Sequence, residues 1–212
     1  TKTGADELLL MSASTYAGSL DVREGLVTTT RADALGTPRS VNLGTGAKLQ
    51  LGGDSAIGSL SGDSSSMLNS AGGTALAVGG SNLDSVYAGT IAGNGLLKKT
   101  GNGTLELAGN TTLPSITEVD SGTLKVSGTM SGGVIVQAGG IISGSGTIAN
   151  TLIVANAGTL AGGSGRTLTA TTIALMPHAN VNVALGSPGT GNTALFRAAT
   201  GLTLGGVLNI TD

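Results

Sequence analysis

Apolar residues recur at every second position in short runs: Leu105 and Leu107 in "GTLEL", Leu124 and Val126 in "GTLKV", then Val134 and Val136, Val181 and Val183, Leu202 and Leu204, Leu208 and Ile210. A period of two is the signature of an extended strand with one face buried. No 11-residue window free of glycine carries apolar residues at i, i+3, i+4 and i+7, and β-branched residues are abundant. Both features argue against helix. Glycine closes the runs, as in "GNGLLKKTGNGTLELAGNTT" (93–112), and the pairs Asn94-Gly95 and Asn102-Gly103 read as turns.

The strands are also periodic along the chain. Gly103, Gly122, Gly139 and Gly158 each precede an apolar run, at a nearly constant step, and Gly46 lies three such steps before Gly103. A longer repeat contains the short one. Displaced by 97 positions, residues 1–27 align with 98–124 without a gap and with eight identities. Lys2-Thr3-Gly4 falls on Lys99-Thr100-Gly101, Leu8 and Leu10 on Leu105 and Leu107, Val22 on Val119 and Gly25 on Gly122, while Asp21 meets Glu118. The short step, about 19 residues, is that of stacked strand coils and is shorter than helical repeats of about 33–34 residues.

These patterns predict an all-β fold, a right-handed, single-stranded parallel β-helix (a β-solenoid) of about 17–21 residues per coil, continuous over residues 1–212. Glycines supply the corners, where backbone angles are unusual. One such step stacks Leu105 on Leu124 and Leu107 on Val126, and sets Glu106 outside beside Lys125. About eleven coils at ~4.8 Å each would make a rod on the order of 50 Å long.

Residues 93–126, "GNGLLKKTGNGTLELAGNTTLPSITEVDSGTLKV", closely resemble the autotransporter-associated strand repeat. A second, more degraded copy is recognisable at about 2–27. Residues 33–62 are similar to the segment that follows such a copy, and "SGSGTIANTLIVANAGTLAGG" and "TGLTLGGVLNITD" to stretches near the end of such passenger regions. The pattern departs at Leu113-Pro114, where the proline must occupy a corner or a solvent-facing position. The resemblance implies part of a larger secreted or surface-displayed passenger of a Gram-negative bacterium, an adhesin or its stalk, linked to a C-terminal outer-membrane β-barrel. It implies partners among host-cell or matrix molecules or glycans, and a secretion or folding role for the coils of 166–212.

Composition narrows the function classes. The chain has 38 glycines, 10% charged residues, one Phe, two Tyr and no Trp. Its core must therefore be narrow and aliphatic. A mean hydropathy of +0.30 with only four prolines argues against disorder. Ten basic and twelve acidic residues form no basic stripe for nucleic acid. The absence of cysteine excludes disulfides and thiolate metal sites. No window is apolar enough for a membrane helix. Residues 1–30 lack a signal-peptide profile, so an export signal is expected outside this sequence, and 166–212 lack barrel strands.

Candidate chemistry is sparse, and neither catalytic residues, cofactor nor metal site is expected. His178 is the single histidine, a candidate triad member but more simply a turn residue after Pro177. Glu118 and Asp120 share a strand face, and Asp21 and Glu24 are close in the other copy. A polysaccharide-cleaving enzyme would need them gathered with a base such as Lys125; a solvated outer face is the alternative. Gly144-x-Gly146 and Gly189-x-Gly191 echo part of a dinucleotide fingerprint without its βαβ context. Acidic residues are too scattered for calcium-binding repeats. Asn102, Asn110 and Asn209 open formal glycosylation sequons. Tyr16, Tyr87 and Phe196 are too few to form a sugar-stacking platform. Self-association of rods through polar faces or end coils is a third reading.

Overall fold

A computed structural model describes residues 1–163, 166–184 and 194–211. Among these residues there is no helix; 25 short strands stack in parallel as a β-solenoid of about eight turns. The strands form three faces. The first is a 10-stranded sheet running from Ser19–Val22 to Val207–Thr211. The second and third, beginning at Glu7–Leu10 and Ser55–Ile57, belong to one 15-stranded sheet. They join through the strands Thr147–Val154, Leu168–Leu175 and Phe196–Thr203, which pass the corner with a shift in register.

Alternation decides which side chains enter the core. Leu105 pairs with Leu124 and Leu107 with Val126, all at most 2% exposed, while Glu106 and Lys125 face outward together. The same parity holds on the third face, where Ile57, Val78, Val119, Val136 and Val154 form a buried column. The inward residues of the last rung are less covered, with Leu208 62% and Ile210 57% exposed. Leu204, expected in a strand, lies just beyond Phe196–Thr203.

Coil length varies more than the predicted range. A short coil runs from Thr117 to its ladder partner Val134, a longer one from Gly62 to Tyr87, and one longer still from Asn180 to Val207. In the coil from Gly62 to Tyr87 the extra residues sit at the corner between Ala75–Val78 and Ser85–Tyr87, where the ladder does not constrain them. The stack has about eight turns, fewer than the eleven expected from a uniform step. The variation also explains Gly46. It precedes Lys48–Leu51 on the second face, whereas Gly103, Gly122, Gly139 and Gly158 precede or open first-face strands, so the interval from Gly46 to Gly103 is not three coils.

The long repeat preserves local geometry and changes face. Glu7–Leu10 pairs with Leu26–Thr29 on the second face, as Thr104–Leu107 pairs with Gly122–Val126 on the first. The displacement between the copies spans four coils and two further faces, so the second copy is turned by one face about the rod.

Corners are built from backbone packed on backbone. Gly122 has φ +63°, and a Cβ there would lie 2.3 Å from the Gly101 carbonyl oxygen of the rung before. Pro114 is exposed in the connection between Asn110–Thr111 and Thr117–Val119, while Leu113 beside it is buried.

Two substitutions separate core from corner. Leu124→Ala is expected to lower stability by about 2–5 kcal/mol through lost burial and a cavity. Gly122→Ala should also destabilise without opening a cavity, while the outward Thr123→Ala should stay within about 0.5 kcal/mol of wild type. Urea midpoints of the three variants check this ranking.

Candidate functional site

Most of the charged side chains sit outside the rod, where side chains of successive rungs meet at the strand spacing. On the first face Asn42 donates to Asp21 at 2.9 Å and Ser61 donates to Asn42 at 3.0 Å, a ladder over three rungs. Arg23 pairs with Asp21 at 2.9 Å. The Asn42 amide, then Arg23, hold the Asp21 carboxyl below its usual range. Glu24 contributes its main-chain carbonyl, which accepts from Lys2 Nζ at 3.1 Å. Further along the rod, Asn209 donates to Asn182 at 2.9 Å.

Midway along the same face, Lys125 Nζ lies 2.8 Å from Glu106 Oε2, and Ser127 Oγ donates to Glu106 Oε1 at 2.6 Å. These bonds, Lys125 first, hold the Glu106 carboxyl below its usual range. Just beyond lies a shallow cleft of about 390 Å³ lined by Lys125, Ser143, Gly144, Gly162 and Arg166. The glycines there leave the strand surface low between two cations.

Glu118 and Asp120 do converge, but on Lys98 of the third face, each 3.2 Å from its Nζ. The two carboxylates, Asp120 foremost, raise the Lys98 pKa. Lys125 is therefore on another face from the acidic pair, and Asp21 lies near the first rungs of the rod. The geometry thus does not gather Glu118, Asp120 and Lys125 into one cluster. Among the described residues, no group of three His, Cys, Asp or Glu side chains converges where a metal could sit.

His178 is exposed at φ +63° between Leu168–Leu175 and Asn180–Ala184. It continues a corner ladder. The Gly139 N–H donates to the Ala157 carbonyl at 3.2 Å, and the Ala157 N–H donates to that of His178 at 3.0 Å, all three having positive φ. Gly144 and Gly146 are likewise corner residues, where a Cβ would meet the carbonyls of Val126 and Gly128. Gly189-x-Gly191 lies outside the described residues.

The aromatics are far apart in the stack. Tyr16 is 44% exposed near the first rungs and donates to the Ser19 carbonyl at 2.6 Å. Tyr87 is inward and buried, its ring accommodated by Gly62, and burial pushes its pKa up to about 12. Phe196 packs over Gly162 toward the last rung.

One residue has a role that sequence reasoning missed. Lys99 holds an inward position in the third-face column, between Val78 and Val119, and is 1% exposed. Its Nζ donates to the carbonyls of Thr100, Gly101 and Ser121 at 2.7, 2.8 and 3.1 Å. Burial lowers its pKa, and the Asp84 carboxylate opposes that shift. Two signals could have found it: the parity of "LLKK", which turns Lys99 inward if Leu97 is inward, and the recurrence of Lys-Thr-Gly.

No family model, curated protein or solved structure matches the chain.

Glu106→Gln is expected to cost about 0.5–1 kcal/mol at pH 7, in the range of a well-formed surface pair. Because its folded-state pKa is depressed, Glu106 stabilises the fold above the ordinary glutamate value of 4.5 and loses that contribution as pH falls through the folded value. Denaturation of both proteins from pH 7 to 2 should show the difference shrinking toward zero.

Proposed function

We propose that the chain is a non-catalytic segment of a surface-displayed or secreted passenger of the autotransporter type, acting as an adhesin or as the stalk that carries one. The observation that supports this reading is an in-register stack with an aliphatic interior and polar ladders along its exterior. In such a stack each coil contacts only its neighbours, so stiffness and stability accumulate with length. Outward amides and hydroxyls at the strand spacing offer repeated hydrogen-bonding groups to a glycan or an extended peptide. The cleft between Lys125 and Arg166 adds a place for a carboxylate or sulfate group.

Host-cell or matrix molecules, glycans among them, are the proposed partners. The C-terminal outer-membrane barrel of the parent chain is the proposed export partner. The resemblance of residues 93–126 to the strand repeat supports both.

Labelled 212-residue chain, applied to mammalian cells and to immobilised matrix proteins, tests the adhesive reading. Saturable binding by the folded chain and not by heat-unfolded chain is the expected result, reduced several-fold by Arg166→Glu at unchanged thermal midpoint. Equal binding by folded and unfolded chain would overturn specific adhesion, and no binding would restrict the segment to a stalk.

A further inference from the structure

The Lys99 contacts recur at Lys2 with the same offsets along the chain. Lys2 Nζ donates to the carbonyls of Thr3, Gly4 and Glu24 at 3.0, 2.6 and 3.1 Å. Lys99 donates to those of Thr100, Gly101 and Ser121. In each case the acceptors belong to the next residue, the one after it, and a residue 22 positions further on. Each lysine also pairs in the ladder with a valine of the following rung, Val22 or Val119, again at equal offsets. The first two carbonyls come from the lysine's own corner, and the third belongs to the next rung.

The glycines explain why the carbonyls converge. Gly4 and Gly25 have φ +78° and +77°, and their counterparts Gly101 and Gly122 have +65° and +63°. A Cβ at Gly25 would lie 2.5 Å from the Gly4 carbonyl oxygen and 2.8 Å from Lys2 Nζ, so the corner closes around the ammonium with no room for a side chain. Two N–H groups of the Lys99 corner are engaged by side chains of the preceding rung. Asn82 accepts from Asn102 N–H at 2.8 Å, and Asp84 accepts from Thr104 N–H at 2.7 Å. Three carbonyl dipoles converge on the cation, that of Gly101 also accepting from Ser121 Oγ at 3.3 Å. The two copies occupy different corners, from the first face to the second at Lys2 and from the third to the first at Lys99. The arrangement is therefore a property of the motif and not of one face.

We propose that the Lys-Thr-Gly corner is a primary-ammonium site made of main-chain carbonyls, filled in cis by the lysine of the same corner, and that it locks the register between two rungs. Its ligand class is a single alkylammonium head with three N–H donors, matched to three carbonyl acceptors. Slipping the strand would place a charged group in a valine column without those acceptors, which is strongly unfavourable. Side-chain alternation alone does not oppose a slip by one full alternation, since parity is restored. A caged ammonium does oppose it.

The test has two arms on the whole chain. In the first, Lys99→Ala is compared with wild type by thermal unfolding in n-propylammonium or tetramethylammonium chloride at matched ionic strength. Propylammonium replaces the deleted methylenes and ammonium; tetramethylammonium has charge and no N–H. The expected result is a lowered midpoint for Lys99→Ala, of which about half is regained saturably in propylammonium only, by ligand linkage. A variant that stays folded and gains nothing specific from propylammonium overturns the site. The second arm needs no rescue. With 15N-labelled lysine, wild-type protein should show a slowly exchanging ammonium resonance that is lost in Lys99→Met, with the half-buried Lys2 exchanging faster than Lys99 and Lys48, Lys98 and Lys125 exchanging rapidly. Rapid exchange at all five lysines would overturn the proposal, even if Lys99→Ala fails to fold.

Discussion

Inward residues must lie on inward residues, coil after coil, and the remainder of the architecture depends on that in-register parallel pairing. A strand shifted by a single position would turn Leu105 and Leu107 to solvent and bring Thr104 and Glu106 into an interior lined by leucine and valine. Each buried aliphatic side chain is worth about 1.5–3 kcal/mol against exposure. Such a shift therefore forfeits several side chains per coil. With almost no aromatics, the core gains its size by length. Where a ring does enter, at Tyr87, Gly62 in the neighbouring rung has given up its side chain.

Corners carry the second constraint. Parallel ladders satisfy main-chain groups along the faces, but each corner turns the chain and brings carbonyls of adjacent rungs close together. Gly101, Gly122 and Gly144 tolerate this because a Cβ on any of them would fall within 2.3 Å of a neighbouring carbonyl oxygen. Donors from one rung to the next then complete the corner: Asn82 and Asp84 receive its N–H groups, and Lys99 satisfies its carbonyls. Corners can also lengthen without disturbing the ladder. The short coil from Thr117 to Val134 and the long one from Gly62 to Tyr87 share one stack for that reason. The outer charges are spectators by comparison. Glu106 pairs with Lys125, and Lys98 with Glu118 and Asp120, across rungs.

Period-two alternation with glycine-closed runs determined strands, their inward side chains and the parallel stack, because those depend only on neighbours along the chain and on one coil spacing. The step from Gly103 to Gly122 placed Leu105 on Leu124 and Glu106 beside Lys125 from spacing alone. His178 as an exposed turn residue and Pro114 at a corner were legible for the same local reason. The division into faces was decided by the tertiary structure. Coils of unequal length break the arithmetic, so Gly46 and Gly103 precede strands of different faces, and the long repeat turns by one face. The passage from one face to the next separates Lys125 from Glu118 and Asp120, its near neighbours in sequence. Stacking also conceals the role of Lys99. Parity turns that lysine inward, but its three acceptors converge only when the corners of two rungs are stacked, the third acceptor lying 22 residues away.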